Sequence, residues 1–322
     1  MALLLNLHSH LEGRVRPDTA AELGSRLGLP DPPGGWADAL ELDAPADLTV
    51  YLAKVASTYP FFGDPESLAR ITSEAVQDAA ADGLSYLELR FGPATHVRPG
   101  FDLDAVIRAA CAGARDGTTR SGMPAGIVVA ALRHHDEAIN TAVAHAAARA
   151  AGDGVVGFDL AGDELRFPDL APYAEAFAIA AAADLGLTCH AAEAAPGPAA
   201  REAVERFGVR RIGHGTHVAD DADTLDWIAD HGVVVEVCPT SNLYTGGITR
   251  IADHPARTFL DHGVPIVLGD DNPRQTRSPL SAESALLQTV LGLDAADLAG
   301  IEATAVEVAF AGDAVRAAWR DH

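Results

Sequence analysis

The 322-residue sequence predicts an α/β fold, a single (β/α)8 TIM barrel with a helical insertion after strand 1, on three observations. Short β-rich runs alternate eight times with longer Ala-, Leu- and Arg-rich stretches of helical spacing. Most of these runs are continuously apolar, the pattern of strands covered on both faces. The length exceeds the ~250 residues such a barrel typically needs, which leaves room for insertions.

In chain order, the expected strands are residues 3–7, 85–91, 126–132, 155–160, 187–190, 211–214, 233–237 and 266–268. Helix-like segments such as 66–81, 103–115 and 194–207 fill the spacers. The spacer 14–83 is long enough for more than one helix and contains Leu29-Pro30-Asp31-Pro32-Pro33-Gly34-Gly35. It reads as an insertion, either a lid over the site or a surface decoration. No linker divides the chain, so 1–322 is expected to be one domain.

Hydrophobic residues make up 48% of the chain, enough for a sizeable core. The formal charge is −23, from 23 basic and 46 acidic side chains. Such a surface repels phosphate backbones and anionic lipid heads, which argues against nucleic-acid and membrane partners. The three cysteines, Cys111, Cys189 and Cys238, are widely spaced and form no CxxC pair, as expected of buried thiols in a reducing compartment. The apolar run Leu3-Leu4-Leu5 is too short for a signal peptide. A cytoplasmic location is expected, and the oligomeric state is left open.

Side chains at the C-terminal ends of barrel strands converge on one mouth, and functional residue types gather there. Strand one ends in His8-Ser9-His10, two imidazoles on one face of an extended segment. Strand five ends in His190, with Glu193 three residues on. Strand six ends in Gly213-His214-Gly215, and strand eight in Asp270-Asp271-Asn272-Pro273. Each is unremarkable alone, since a lone histidine can sit in a core and a lone aspartate can cap a helix. Together, three imidazole nitrogens and a carboxylate at one mouth form a metal-binding set. The single lysine, Lys54, lies in the insertion, so no lysine at a strand end can bridge two metals, and one metal ion is the simpler expectation.

Seven ordered motifs carry a resemblance that spans nearly the whole chain. They are His8-Ser9-His10-Leu11-Glu12-Gly13, Tyr86-Leu87-Glu88-Leu89-Arg90-Phe91, Asp159-Leu160-Ala161-Gly162-Asp163-Glu164, His190-Ala191-Ala192-Glu193, Arg211-Ile212-Gly213-His214-Gly215, Glu236-Val237-Cys238-Pro239-Thr240-Ser241-Asn242 and the turn ending in Pro273. The sequence resembles the adenosine deaminase family of zinc aminohydrolases. The resemblance implies one Zn2+ per chain, held by His8, His10, His190 and Asp271, which lowers the pKa of a bound water to ~7. It implies Glu193 as the acid that protonates a ring nitrogen, and His214 as the group that takes a proton from the attacking water or orients it. Asp271 would also accept a hydrogen bond from that water, and Gly162 would offer a backbone N–H to the ring. The substrate-binding set is then Gly162, Asn272, Glu12 and His10. Counting back from Pro273 makes Asp271, not Asp270, the ligand.

Two positions depart from the family pattern. Asn272 stands where the family has a second aspartate, and Glu12 where the adenosine-specific branch tends to have aspartate. An amide carries donors at every pH, so Asn272 can serve a purine or mark a different ring. The longer Glu12 intrudes on space that a ribose would use. The expected substrate is an aminated purine or purine-like heterocycle: adenosine, adenine or a modified relative. An amidohydrolase cleaving another C–N bond on the same barrel is the alternative, and a non-catalytic metal-bearing barrel the third reading.

Overall fold

Eight parallel strands form one sheet in chain order: β1 (Leu5–His10), β2 (Tyr86–Phe91), β3 (Ala125–Leu132), β4 (Val155–Ala161), β5 (Gly186–Ala191), β6 (Arg211–His214), β7 (Val234–Val237) and β8 (Ile266–Leu268). The structure is a computed structural model and describes residues 3–320. The sheet closes on itself where the Asp271 N–H donates to the His8 carbonyl (2.9 Å) and the His10 N–H donates to the Asp271 carbonyl (2.7 Å). The chain is therefore a (β/α)8 barrel.

Among the described residues, fifteen α-helices accompany the strands. Between β1 and β2 lie α1 (Pro17–Arg26), α2 (Gly35–Leu40), α3 (Leu48–Ala56) and α4 (Pro65–Ala81). Then come α5 (Leu103–Ser121), α6 (Glu137–Arg149), α7 (Ala174–Ala182), α8 (Pro198–Phe207), α9 (Ala222–Asp230), α10 (Pro239–Tyr244) and α11 (Ala256–Asp261). After β8 follow α12 (Pro273–Thr276), α13 (Leu280–Thr289), α14 (Ala295–Val308) and α15 (Asp313–Arg320). The segment 14–83 thus has two parts. Helix α4 packs along α5 and takes its place in the outer ring, with Leu68, Ile71, Ala75, Val76 and Ala79 buried beneath it. Helix α3 instead reaches the barrel mouth, where Tyr51 and Leu52 line a cavity. Helix α8 starts at Pro198, later than the periodicity of 194–207 suggests, because the preceding backbone is recruited to the site.

Aspartate opens many of these helices. Asp47, Asp64, Asp102, Asp136 and Asp221 each accept a backbone N–H of the first turn, and Asp294 builds a capping box with Asp297. The main core lies between the sheet and the helices. Inside the barrel the filling is charged: Glu88, Arg90, Asp159, Arg211 and Glu236 are all fully buried.

The β4–β5 seam is short, pairing only Gly157 with Gly186 and Phe158 with Leu187. Phe310, just past α14, occupies this seam. A Cβ on Gly186 would stand 2.1 Å from its ring and one on Gly157 2.5 Å, so both positions need glycine. The ring also lies 3.6 Å from the Arg211 guanidinium carbon, and the Phe310 N–H donates to Glu88. Among the described residues, no helix is long and apolar enough to cross a membrane.

Candidate active site

The mouth of the barrel opens into a cavity of about 590 Å³, lined by His10, Glu12, Tyr51, Gly162, His190, Glu193, His214, Asp271 and Asn272 among others. Every residue singled out from the sequence lines this cavity except His8, which lies fully buried below it. Its position requires Gly269, because a Cβ there would approach the His8 Cβ to 2.4 Å. Two groupings of potential ligand atoms share His8: one with His10 and Asp271, the other with His190 and His214, each within 4.8 Å. The Nε2 atoms of His10 and His190 are 3.1 Å apart, and His10 Nε2 lies 3.3 Å from an Asp271 oxygen.

Buried carboxylates behind two of the imidazoles fix their orientation. His8 Nδ1 meets Glu236 at 2.7 Å and His190 Nδ1 meets Asp159 at 3.0 Å. In the neutral rings, the proton on Nδ1 leaves Nε2 with a free lone pair. His8 Nε2 is buried without a hydrogen-bond partner. Arg90 ties the two carboxylates together, with 3.0 Å to Asp159 and 2.9 Å to Glu236. Arg211 bridges Glu236 and Glu88 below. Sequence reasoning gave no role to these residues. Their signal was present: charges within short, largely apolar strands, two in β2, one each in β4 and β7, and one opening β6.

Asp271 is equally constrained. Tyr51 donates to it from α3 at 2.7 Å, Ser241 donates to the same oxygen, and the Asn272 side-chain amide donates to the other at 2.8 Å. One amide hydrogen of Asn272 is thereby used, and its oxygen has no partner. Glu12 is drawn to the cavity wall by the Gly92 N–H (3.3 Å) and by His96 (3.1 Å). Asp270 is paired with Arg14, away from the cavity.

Ala192, His214 and Asp271, at the ends of β5, β6 and β8, have φ of 54°, 63° and 53°. Non-glycine residues in this left-handed region carry strain that the surrounding structure must hold, and such residues cluster at functional sites. One restraint is visible. Buried Glu164 accepts the N–H groups of Ala192 (3.0 Å), Ala194 and Ala195 (2.8 Å), so it grips the backbone on both sides of Glu193.

The electrostatics divide the site by role. Burial pushes the Glu193 carboxyl up to about 8, and the nearby Asp271 charge adds to this, so the group holds its proton at neutral pH. Burial opposes ionisation of Asp271 as well, but protonation of the facing His10, His214 and His8 as pH falls, together with the hydrogen bond from Ser241, holds its carboxyl below the usual carboxylate range. Burial lowers His10 to about 4 and His214 to about 3, leaving both neutral. Burial disfavours the Glu236 charge too, yet Arg90 and Arg211 hold it down to about 2.

A parallel barrel that collects neutral imidazoles, a charged carboxylate and a protonated acid at its C-terminal mouth falls in the class of metal-dependent hydrolases. Sequence comparison makes the family definite. The adenosine deaminase profile matches residues 4–322, and the chain belongs to that family. An adenosine deaminase of Clostridium botulinum is 30% identical over 312 residues, covering 95% of this chain and 92% of the relative. A zinc-bound amidohydrolase from Burkholderia ambifaria superposes with a TM-score of 0.91 at 26% identity, over 99% of this chain and 89% of that one. The N6-methyl-AMP deaminase of Arabidopsis thaliana does so with a TM-score of 0.86 at 25% identity, over 99% and 95%.

Proposed function

We propose that this protein hydrolytically removes the exocyclic amine of a purine or purine-like ring, with one zinc ion held by His8, His10, His190 and Asp271. The observation that carries the reading is Glu193, a buried acid that keeps its proton to about pH 8, on the same cavity as the ligand cluster. Cleavage of an amide C–N bond also needs an acid for its leaving nitrogen, so it is membership of the adenosine deaminase family that favours deamination.

The residues fit the metal. The unpartnered Nε2 of His8, and the carboxylates behind His8 and His190, are what a cation held by neutral imidazoles requires. Three nitrogens and one carboxylate oxygen suit zinc. Zinc, when bound, supplies Lewis acidity that lowers the pKa of a water to ~7. Glu193 gives its proton to the ring nitrogen next to the amine-bearing carbon, which makes that carbon electrophilic. His214 orients the attacking water and Asp271 accepts a hydrogen bond from it. The oxygen adds to the carbon. One water hydrogen leaves with the amine as ammonia, and the other restores Glu193.

The cavity extends well beyond what a bare base fills, within the ~300–1,000 Å³ range that encloses larger ligands. Its outer wall is apolar, from Leu48, Leu52 and Val55 of α3 and from Phe167. Arg166 also lines it, stacked over Phe167 at 5.4 Å. This favours a purine with a substituent on the ring edge farthest from the reacting carbon. The relatives named above act, by their names, on adenosine and on N6-methyl-AMP.

Ammonia release by the zinc-loaded protein tests the reading, across adenine, adenosine, N6-substituted adenines and adenosines with neutral or anionic 5′ ends. Turnover of at least one, with substituted purines ahead of free adenine, is expected. Silence across the panel with metal bound would overturn the deaminase reading.

A further inference from the structure

His214 is the end of a hydrogen-bond chain that leads away from the cavity. Its Nδ1 lies 3.1 Å from the Asn242 side-chain nitrogen. The Asn242 side-chain oxygen lies 3.1 Å from His254 Nε2. His254 Nδ1 accepts the backbone N–H of Ala256 at 3.2 Å. All three side chains are buried: His214 is 1% exposed, Asn242 0% and His254 4%.

Ring tautomers and amide orientations are set by their partners. Here the chain starts from a group that has no alternative. A backbone N–H is only a donor, so His254 Nδ1 must be the bare nitrogen and its proton must sit on Nε2. That proton requires the oxygen of Asn242, which turns the amide nitrogen toward His214. The amide donates to His214 Nδ1, and the His214 proton is left on Nε2. Reversing any one link sets donor against donor at the next, or strands the Ala256 N–H in a buried environment.

We infer that Asn242 and His254 are positioning residues that lock His214 as an Nε2–H donor. His214 Nε2 faces the cavity and lies 3.8 Å from a Glu193 oxygen. In this tautomer the ring gives a hydrogen bond to the attacking oxygen and stabilises charge developing there. It does not remove the proton. Acting as a base would place protons on both nitrogens and press Nδ1–H against the Asn242 amide. Of the two roles that the sequence leaves to His214, the chain selects the orienting one. This rests on the deaminase reading for what the hydrogen bond achieves, but the tautomer itself does not depend on it.

Nitrogen NMR of protein labelled with 15N-histidine tests this directly, with His214 assigned through a His214→Gln variant. A pyridine-type Nδ1 and a protonated Nε2 are expected in both the metal-free and the zinc-loaded protein. Asn242→Asp puts an acceptor opposite Nδ1 and should move the proton there. Turnover should then fall roughly 100-fold or more in kcat with KM little changed, the scale of losing one oriented donor. His254→Gln keeps a donor for the Asn242 oxygen and should restore most of what His254→Phe loses. Thermal melts separate misfolding from repositioning. A wild-type spectrum with the proton on Nδ1 would overturn the inference, and it needs no variant. So would a flipped tautomer in Asn242→Asp with undiminished kcat. A correct tautomer in a protein that deaminates nothing would sink the function and leave the relay standing.

Discussion

At the scale of single residues, the site separates groups that must be charged from groups that must not. Glu193→Gln keeps size and hydrogen bonding but has no proton to give, so kcat should fall by ~10²–10⁴ with metal content unchanged. An unchanged kcat would remove Glu193 from the mechanism. The pH sign follows from the direction of its shift. The acid is competent while protonated, so activity should be present below about pH 8 and fall as pH rises through it. A kcat profile still rising at pH 9 would contradict this. Glu164→Gln should act more gently. Its amide cannot accept all three N–H groups that Glu164 holds, so the Glu193 backbone loosens and kcat drops while metal affinity, measured by titration, persists. Most mouth residues were legible in the sequence because histidine and aspartate at strand ends are conspicuous. The residues behind them were harder to assign. Glu236 and Asp159 act through buried contacts to His8 and His190, and which imidazole each meets depends on barrel register.

At the scale of elements, the alternation of apolar strands and amphipathic helices located all eight strands, because each buried strand is a short run bounded by helix caps and turns. What the alternation did not give was the division of 14–83. Composition does not tell which of α1 to α4 joins the ring, and only packing against α5 marks α4 as part of it. Helix α3 has its own consequence. Its Tyr51 hydroxyl reaches Asp271, so the insertion contributes to the cavity floor as well as its wall. Tyr51→Phe removes one of the donors to a carboxylate that also receives Ser241 and Asn272. A loss of about 1–2 kcal/mol in metal binding is expected, readable as a weaker zinc dissociation constant. No change would place α3 outside the metal site.

At the scale of the whole molecule, the ligand candidates come from both edges of the sheet that meet when the barrel closes, with His8 and His10 on β1 and Asp271 after β8. Metal held by these residues would fasten the closure of the sheet. Chelation should lower the melting temperature, and adding zinc back should raise it in proportion to RT ln(1 + [L]/Kd). A melting temperature indifferent to metal would argue against ligands on both strands. The interior charges set a second dependence. The folded Glu236 is depressed from 4.5 to about 2, so it adds stability above pH 4.5 that is lost as pH falls toward 2. Denaturation monitored across that window should show it, and a flat response would deny the buried pairing. The surface acidity reads differently once the helices are in place, since six aspartates are N-caps rather than a field aimed at a partner.

Phe310 gives the molecule an order of assembly. During synthesis the barrel strands emerge long before residue 310, so the nascent sheet waits with an open joint between its fourth and fifth staves and with Glu88 short of one donor. The keystone arrives after all eight strands. A ribosome-stalled or truncated chain ending before it would already hold all the proposed zinc ligands, yet stay nicked readily by protease at that joint.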